Sequence, residues 1–180
     1  WGPRTFNAAL QPGDPQTLES AALRLNARGY NCYFQLNPVR PDFDGEAVRD
    51  ADISRRRLIL IDIDRAQTVR QPATEAEVAA AGLLADKITA FLVEKGWPQP
   101  FRIMSGNGHH VLIPVDLPND DASRDRVQAL LTGLGDRFDN GVVRVDRTVF
   151  NASRISKLPG TIARKGTESE GRPYRLARVL

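Results

Sequence analysis

Short apolar runs alternate along this chain with longer segments in which apolar residues recur every three or four positions, a pattern that predicts strands separated by helices. The most apolar run covers residues 58–64 and ends abruptly in charge. An unbroken run of this length is typical of a strand that is covered on both faces. Because side chains alternate along a strand, Asp62 and Asp64 should leave one face, and Ile61 and Ile63 the other.

Helical periodicity is found in three segments, which cover residues 14–29, 74–96 and 119–141. Asp14 and Pro15 give the first segment a favourable N-cap and first helical residue. Thr74 and Glu77 have the spacing of a capping box at the start of the second. This second helix carries no obvious chemistry, so we expect it to pack against the sheet.

Further strands are predicted at residues 30–36, 101–104, 111–115 and 142–146. Pro38 and Pro41 must lie outside the sheet because proline cannot donate to a strand ladder, and the acidic segment 42–52 reads as a solvated loop. In the last strand, Arg144 and Asp146 share one face. These elements predict an α/β (α+β) fold, a mixed sheet with helices packed on it, in a single domain over residues 1–180.

Composition supports one globular domain. The 180 residues are 41% hydrophobic and 26% charged, enough for a substantial core. No apolar run approaches the roughly 20 residues of a membrane span, and no signal peptide is visible. The single Cys32 excludes an internal disulfide and a cysteine-rich zinc site, and it suits the reducing cytoplasm. Because the chain begins at Trp1, we expect it to be part of a longer protein.

The charge is unevenly distributed. The net charge is +3, but residues 147–180 contain eight basic residues and only Glu168 and Glu170 as acids. Such an asymmetry indicates a polyanionic partner near the C-terminal fifth of the chain, either nucleic acid or a triphosphate. A solvated basic tail without a partner is the alternative.

Asp62 and Asp64 are the first candidates for chemistry. Two carboxylates at the end of an apolar strand repel each other and lose hydration unless a cation lies between them. Mg²⁺ is usually held by one or two carboxylates together with substrate phosphates, so the pattern indicates phosphoryl or nucleotidyl transfer. The alternative is that both acids face solvent and meet an arginine of residues 55–57.

Two further segments suit phosphate binding. Residues 105–110 form a predicted hairpin turn, in which Gly106 and Gly108 permit a tight turn and a close approach of a ligand to the backbone. The segment 150–160 contains Arg154 and Lys157 ahead of a predicted polar turn.

In this order the motifs resemble those of the archaeo-eukaryotic primase superfamily, in particular the primase-polymerase domains of phage, plasmid and other mobile-element replication proteins. The resemblance extends from about residue 30 to 165. Its motifs are Ile61-Asp62-Ile63-Asp64, Ser105-Gly106-Asn107-Gly108-His109-His110, Val145-Asp146, and a downstream stretch over residues 151–161. Each motif alone is a weak signal, whereas all of them in order form a strong one.

The resemblance implies a catalytic core with an RRM-like lobe and a site for two Mg²⁺ or Mn²⁺ ions. The implied catalytic and metal-binding residues are Asp62, Asp64 and Asp146. The implied nucleotide-binding residues are Ser105, Gly106, Asn107, Gly108, His110, Arg154 and Lys157. The motif register places His110 at the nucleotide and leaves His109 as a core or surface residue.

The implied activity is template-directed nucleotidyl transfer, that of a DNA primase and DNA polymerase. Its partners would be a single-stranded DNA template and primer, a (deoxy)nucleoside triphosphate and a helicase domain or protein, with no membrane and no zinc module. We expect a cytoplasmic replication protein whose core extends primers more readily than it starts chains.

Two other functions fit parts of the pattern. A rolling-circle initiator nuclease needs two histidines on one strand face, whereas His109 and His110 are adjacent and should point apart. A catalytically inactive RRM-like module would use exposed strand aromatics, for which Tyr30, Tyr33 and Phe34 are candidates, but it has no need for three aspartates.

Overall fold

A computed structural model of the chain describes residues 15–180. Its three α-helices are Pro15–Ala27 (α1), Glu75–Glu94 (α2) and Asp121–Phe138 (α3), and a single 3₁₀ turn covers Asp50–Asp52. Its strands are Tyr33–Gln35 (β1), Arg56–Arg65 (β2), Phe101–Met104 (β3), His109–Leu117 (β4), Val143–Val145 (β5), Ile155–Lys157 (β6), Ile162–Ala163 (β7), Arg175–Leu176 (β8) and Arg178–Val179 (β9). The three predicted helices are confirmed over these ranges, but the expected N-cap Asp14 lies outside the described residues.

The main sheet has five strands in the order β5-β2-β4-β3-β9, and every pairing in it is antiparallel. The crossovers β2-α2-β3 and β4-α3-β5 are interleaved, so each encloses a strand of the other in a split β-α-β-β-α-β arrangement. The α+β class is confirmed, whereas the prediction of a mixed sheet is wrong. Strands β2 and β3 run parallel to each other, but β4 lies between them and runs in the opposite direction. Adjacent strands of the sheet are therefore antiparallel.

Strand β2 is an interior strand of the main sheet and is covered on both faces, as its sequence predicts. On one face Ile61 and Ile63 are fully buried, in a core to which α2 and α3 contribute Ile88 and Leu131. On the other face Leu60 is also buried. Each buried side chain of this size stabilises the fold by about 1.5 to 3 kcal/mol.

A two-stranded sheet of β1 and β6 covers part of the face opposite the helices. Phe34 and Ser156 are cross-strand partners, and Phe34 packs against the main core. The strand predicted over residues 30–36 is shorter in the structure, since only residues 33–35 form strand pairs with β6.

Two polar side chains fix the connections near this small sheet. The buried Asn37 accepts hydrogen bonds from the N–H groups of Arg57 and Leu58 and donates to the Ala152 carbonyl. Asp50 accepts from the N–H and hydroxyl of Ser153, at 2.8 and 2.7 Å. The interpretation of residues 42–52 as a merely solvated loop is therefore wrong at Asp50, which anchors the segment that carries Arg154.

The C-terminal segment is tied to the start of α2. Thr74 and Glu77 form the expected capping box, in which each side chain accepts from the backbone N–H of the other residue. Arg172 donates to Glu77 and to the Pro72 carbonyl, and Arg175 donates to the Ala73 carbonyl. No helix within residues 15–180 is long and apolar enough to cross a membrane.

Candidate active site

The three aspartates meet at one end of the main sheet. Asp62 and Asp64 leave β2 on the face opposite the helices, because Ile61 and Ile63 occupy the helical face. Asp146 directly follows β5, and its backbone N–H donates to the Asp62 carbonyl at 2.8 Å. The pairing of β2 with β5 thus brings together carboxylates that are more than 80 residues apart in the chain.

The electrostatic situation of Asp62 is unfavourable for a carboxylate. Burial, followed by the negative charges of Asp64 and Asp146, raises its pKa well above the ordinary range. The charges of Arg154 and Lys165 oppose this shift only in part. A group held in this way favours a bound cation or a proton.

His110 stands beside the aspartates as the cross-strand partner of Asp62. Its Nε2 lies 3.4 Å from Asp62 Oδ1, and its Nδ1 lies 2.8 Å from the Ser156 hydroxyl. Burial lowers the pKa of His110 to about 4, so the imidazole is neutral at pH 7.

His109 points the other way. It lies under α2, where a Cβ on Gly82 would come within 3.1 Å of its Nε2. The structure therefore separates the two histidines as the motif register predicts, with His110 at the acids and His109 in the core.

The glycines of the hairpin turn face protein atoms. The turn closes through the Ser105 N–H, which donates to the Gly108 carbonyl at 2.9 Å. Gly106 has a φ of +98° and packs against Ala163, while a Cβ on Gly108 would overlap the Ile63 carbonyl and an Asp64 carboxylate oxygen. These glycines thus allow the turn to pack against its neighbours, including Asp64.

The remaining predicted nucleotide-binding residues divide into two groups. Arg154 faces the acids, since its charge acts on both Asp62 and His110. Asn107 instead accepts from the Ala73 N–H at 2.9 Å. Lys157 is also directed elsewhere: it is buried and donates to the Ile162 carbonyl at 3.1 Å, and burial lowers its pKa to about 8.

Three residues at the site were not predicted from the sequence. Ser156 contacts His110, Lys165 Nζ lies 3.4 Å from Asp64 Oδ2, and Thr148 donates to Asp146 Oδ1 through its N–H and hydroxyl. Strand alternation could have identified Ser156, which lies between two residues of the opposite face. No sequence signal indicates Lys165, because its position depends on the path of the C-terminal segment.

The donor set suits a hard divalent cation in ligand type and charge, since carboxylate oxygens are the ligands that Mg²⁺ and Mn²⁺ prefer. In the arrangement described for residues 15–180, however, no three Asp, Glu, His or Cys side chains converge on one metal position. Lys165 occupies one side of Asp64, and Thr148 holds one oxygen of Asp146. A cation would therefore compete with the Lys165 ammonium for Asp64.

The alternatives for these residues fit the geometry less well. Arg55 and Arg57 pair with Asp116, and Arg56 donates to the Phe150 carbonyl. None of residues 55–57 is therefore the partner of Asp62 that this alternative requires. The two adjacent histidines lie on opposite faces of β4, which does not match a nuclease site built from both.

Comparisons with protein-family models, curated proteins and solved structures gave no match.

Proposed function

We propose that this chain is the catalytic core of a primase-polymerase of the archaeo-eukaryotic primase superfamily, which transfers nucleotides to a primer on a DNA template. The observation that carries this proposal is the proximity of Asp62, Asp64 and Asp146 at one end of the sheet, with the pKa of Asp62 raised by burial and by its two neighbours. A site of this charge stabilises a hard cation together with the phosphates that the cation binds. The split β-α-β-β-α-β order supports the RRM-like lobe expected of such a core.

In this function the three aspartates hold Mg²⁺ or Mn²⁺. When bound, such ions neutralise the triphosphate and promote ionisation of the primer 3′-hydroxyl. Arg154 adds positive charge on the side of the nucleotide. If the Ser156 hydroxyl donates to His110 Nδ1, the imidazole Nε2 carries the proton and can donate to a phosphate oxygen next to Asp62.

The reaction forms a bond between the primer 3′-oxygen and the α-phosphorus, and it breaks the bond from the α-phosphorus to its bridging oxygen. Pyrophosphate leaves, and the hydroxyl proton passes to solvent. The substrates are a (deoxy)nucleoside triphosphate, a primer and a single-stranded DNA template. We place the protein in the cytoplasm, where it would act with a helicase domain or protein.

Primer extension with each nucleotide type in Mg²⁺ or Mn²⁺ tests this function. Asp62→Asn and Asp64→Asn should each reduce incorporation at least 100-fold, since each removes charge from the metal site without changing shape. Asp116→Asn is the matched control, because Asp116 lies at the far end of the β2–β4 pair, where it forms ion pairs with Arg55 and Arg57. Substantial activity in both site variants would contradict the proposal. Absence of any incorporation by the wild type, with DNA binding retained, would favour the non-catalytic binding module instead.

A further inference from the structure

The outer face of the two-stranded sheet carries an exposed aromatic residue that the proposed reaction does not use. Tyr33 and Lys157 are cross-strand partners, as are Gln35 and Ile155, so these four side chains share one face. Tyr33 is 52% exposed and Ile155 is 46% exposed. We call these two residues and Gln35 the platform.

One side of the platform is closed by Lys157. The buried Lys157 ammonium lies 5.4 Å from the centroid of the Tyr33 ring, over one ring face. The ring is therefore held from beneath by a cation and presents its other face outward. A rigid aromatic face of this kind is what an unpaired nucleobase stacks on.

Positive charge flanks the platform at one end. Arg164 is held near Lys157, because Asn31 accepts from both the Lys157 ammonium and the Arg164 N–H. Within the part of the chain that the structure describes, Arg164 forms no ion pair; its half-buried guanidinium lies 6.0 Å from the centroid of the Tyr174 ring. An apolar protein partner would not require this charge, whereas a phosphate of a nucleic-acid strand would.

We infer that the platform binds single-stranded nucleic acid by stacking a base on Tyr33 beside Ile155, with Arg164 contacting a flanking phosphate. Double-stranded DNA does not fit this role, because its bases are already stacked on one another. Ser156 projects from the opposite face of β6 and contacts His110, so the candidate active site lies behind the platform, on the other side of the two-stranded sheet. Naming this strand as the template rests on the proposed function.

The test is anisotropy of a labelled oligothymidylate in EDTA, so that binding does not depend on the metal site. Tyr33→Ala and Tyr33→Leu should weaken binding about tenfold or more, the range found for loss of one base stack. Tyr33→Leu keeps an apolar cover over Lys157 in case Tyr33→Ala disturbs the sheet. Tyr33→Phe should bind like the wild type, because stacking needs the ring and not the hydroxyl.

Phe101→Ala is the matched control, since Phe101 is an equally exposed aromatic, at 60%, on the edge region of the main sheet. A strand of the same length without bases gives a second control, on which the wild type and Tyr33→Ala should bind equally. An equal loss in Phe101→Ala, or an equal loss of Tyr33→Ala on the base-free strand, would overturn the inference.

The outcome is separable from that of the proposed function. If Asp62→Asn binds the oligonucleotide normally and Tyr33→Ala does not, the platform stands regardless of catalysis. If the wild type incorporates nucleotides but the Tyr33 variants bind and extend normally, the proposed function stands and the platform is wrong.

Discussion

Asp62 occupies a position in which a carboxylate is costly. Its side chain is only 20% exposed, and Asp64 and Asp146 add negative charge beside it. Such an arrangement lowers stability unless a cation compensates for it, and sites of this kind cluster where chemistry is carried out. Lys165 supplies part of the compensation through Asp64. The site thus lowers the stability of the fold when no cation is bound, and it offers a favourable position for a positive ion.

Gly108 should prove to be a positioning residue for Asp64. An alanine Cβ there would overlap the Ile63 carbonyl and an Asp64 carboxylate oxygen, so the Asp64 side chain must move. We expect Gly108→Ala to weaken Mn²⁺ binding at least tenfold and to lower stability by about 1 to 3 kcal/mol, as measured by calorimetry and urea unfolding. Gly133→Ala is the control: it lies in α3 with open space around it and should stabilise the helix by about 0.5 to 1 kcal/mol. Normal Mn²⁺ affinity in Gly108→Ala would show that Asp64 does not depend on this glycine.

The two histidines should respond differently to substitution. His110→Ala should weaken nucleoside triphosphate binding about tenfold or more, because it removes a hydrogen-bonding group beside Asp62. His109→Ala should leave that affinity unchanged and lower the free energy of unfolding, because His109 is buried under α2. Titration with a fluorescent nucleotide and urea unfolding measure the two effects. If His109→Ala weakened nucleotide binding more than His110→Ala, the triphosphate would lie on the opposite face of β4 from the one we propose.

The residue-scale predictions succeeded where strand alternation decides the outcome. Alternation alone separates Asp62 from Ile61 and His110 from His109, and the structure has the same faces. It could not place Lys157, because the direction of that side chain depends on how β6 pairs with β1. The motif resemblance assigned Gly108 to a ligand, since a glycine permits close approach without indicating what approaches.

At the scale of elements, the C-terminal segment is attached to α2 through the capping box. Burial alone would raise the pKa of Glu77, but hydrogen bonds from the Thr74 N–H, Arg172 and Arg65 lower it to about 2. Glu77 therefore joins the end of β2, the start of α2 and a residue almost 100 positions later. The capping box could be predicted from local spacing, whereas its two arginine partners could not, because they arrive through tertiary structure.

Glu77 gives the fold a defined acid sensitivity. Its folded pKa lies below the ordinary value of 4.5, so its contribution to stability is complete above about pH 4.5 and is lost as the pH falls toward 2. Glu77→Gln should lower the free energy of unfolding by about 2 kcal/mol at pH 7, and the difference from wild type should shrink between pH 4.5 and 2. Urea unfolding at pH 7, 4 and 2.5 measures this. Glu94→Gln, which loses only an exposed pair with Lys95, should change the free energy of unfolding little at any of these pH values. If Glu77→Gln differed from the wild type by the same free energy at all three pH values, Glu77 would not be the source of the acid sensitivity.

At the scale of the whole molecule, the basic C-terminal fifth is less available to nucleic acid than its composition indicates. Four of its eight cations are paired within the protein, and Lys157 is buried. The paired residues are Arg147, Lys165, Arg172 and Arg175. Sequence charge counts these residues as free because ion pairing is decided by the fold. Arg154, Arg164 and Arg178 remain for phosphate contacts.

Salt dependence should therefore report about three phosphate contacts. Each contact with a single strand contributes about −0.7 to the slope of log affinity against log salt, so the expected slope is about −2. Arg154→Gln should reduce its magnitude by about 0.7, because within residues 15–180 Arg154 forms no ion pair that binding would have to break. Arg147→Gln should leave the slope unchanged, since Asp136 and Asp139 already neutralise that side chain. Anisotropy of labelled oligothymidylate between about 50 and 200 mM salt gives the slopes. A wild-type slope near −5, or an equal effect of both substitutions, would mean that the internal ion pairs open on binding and that the charge of the whole segment reaches the DNA.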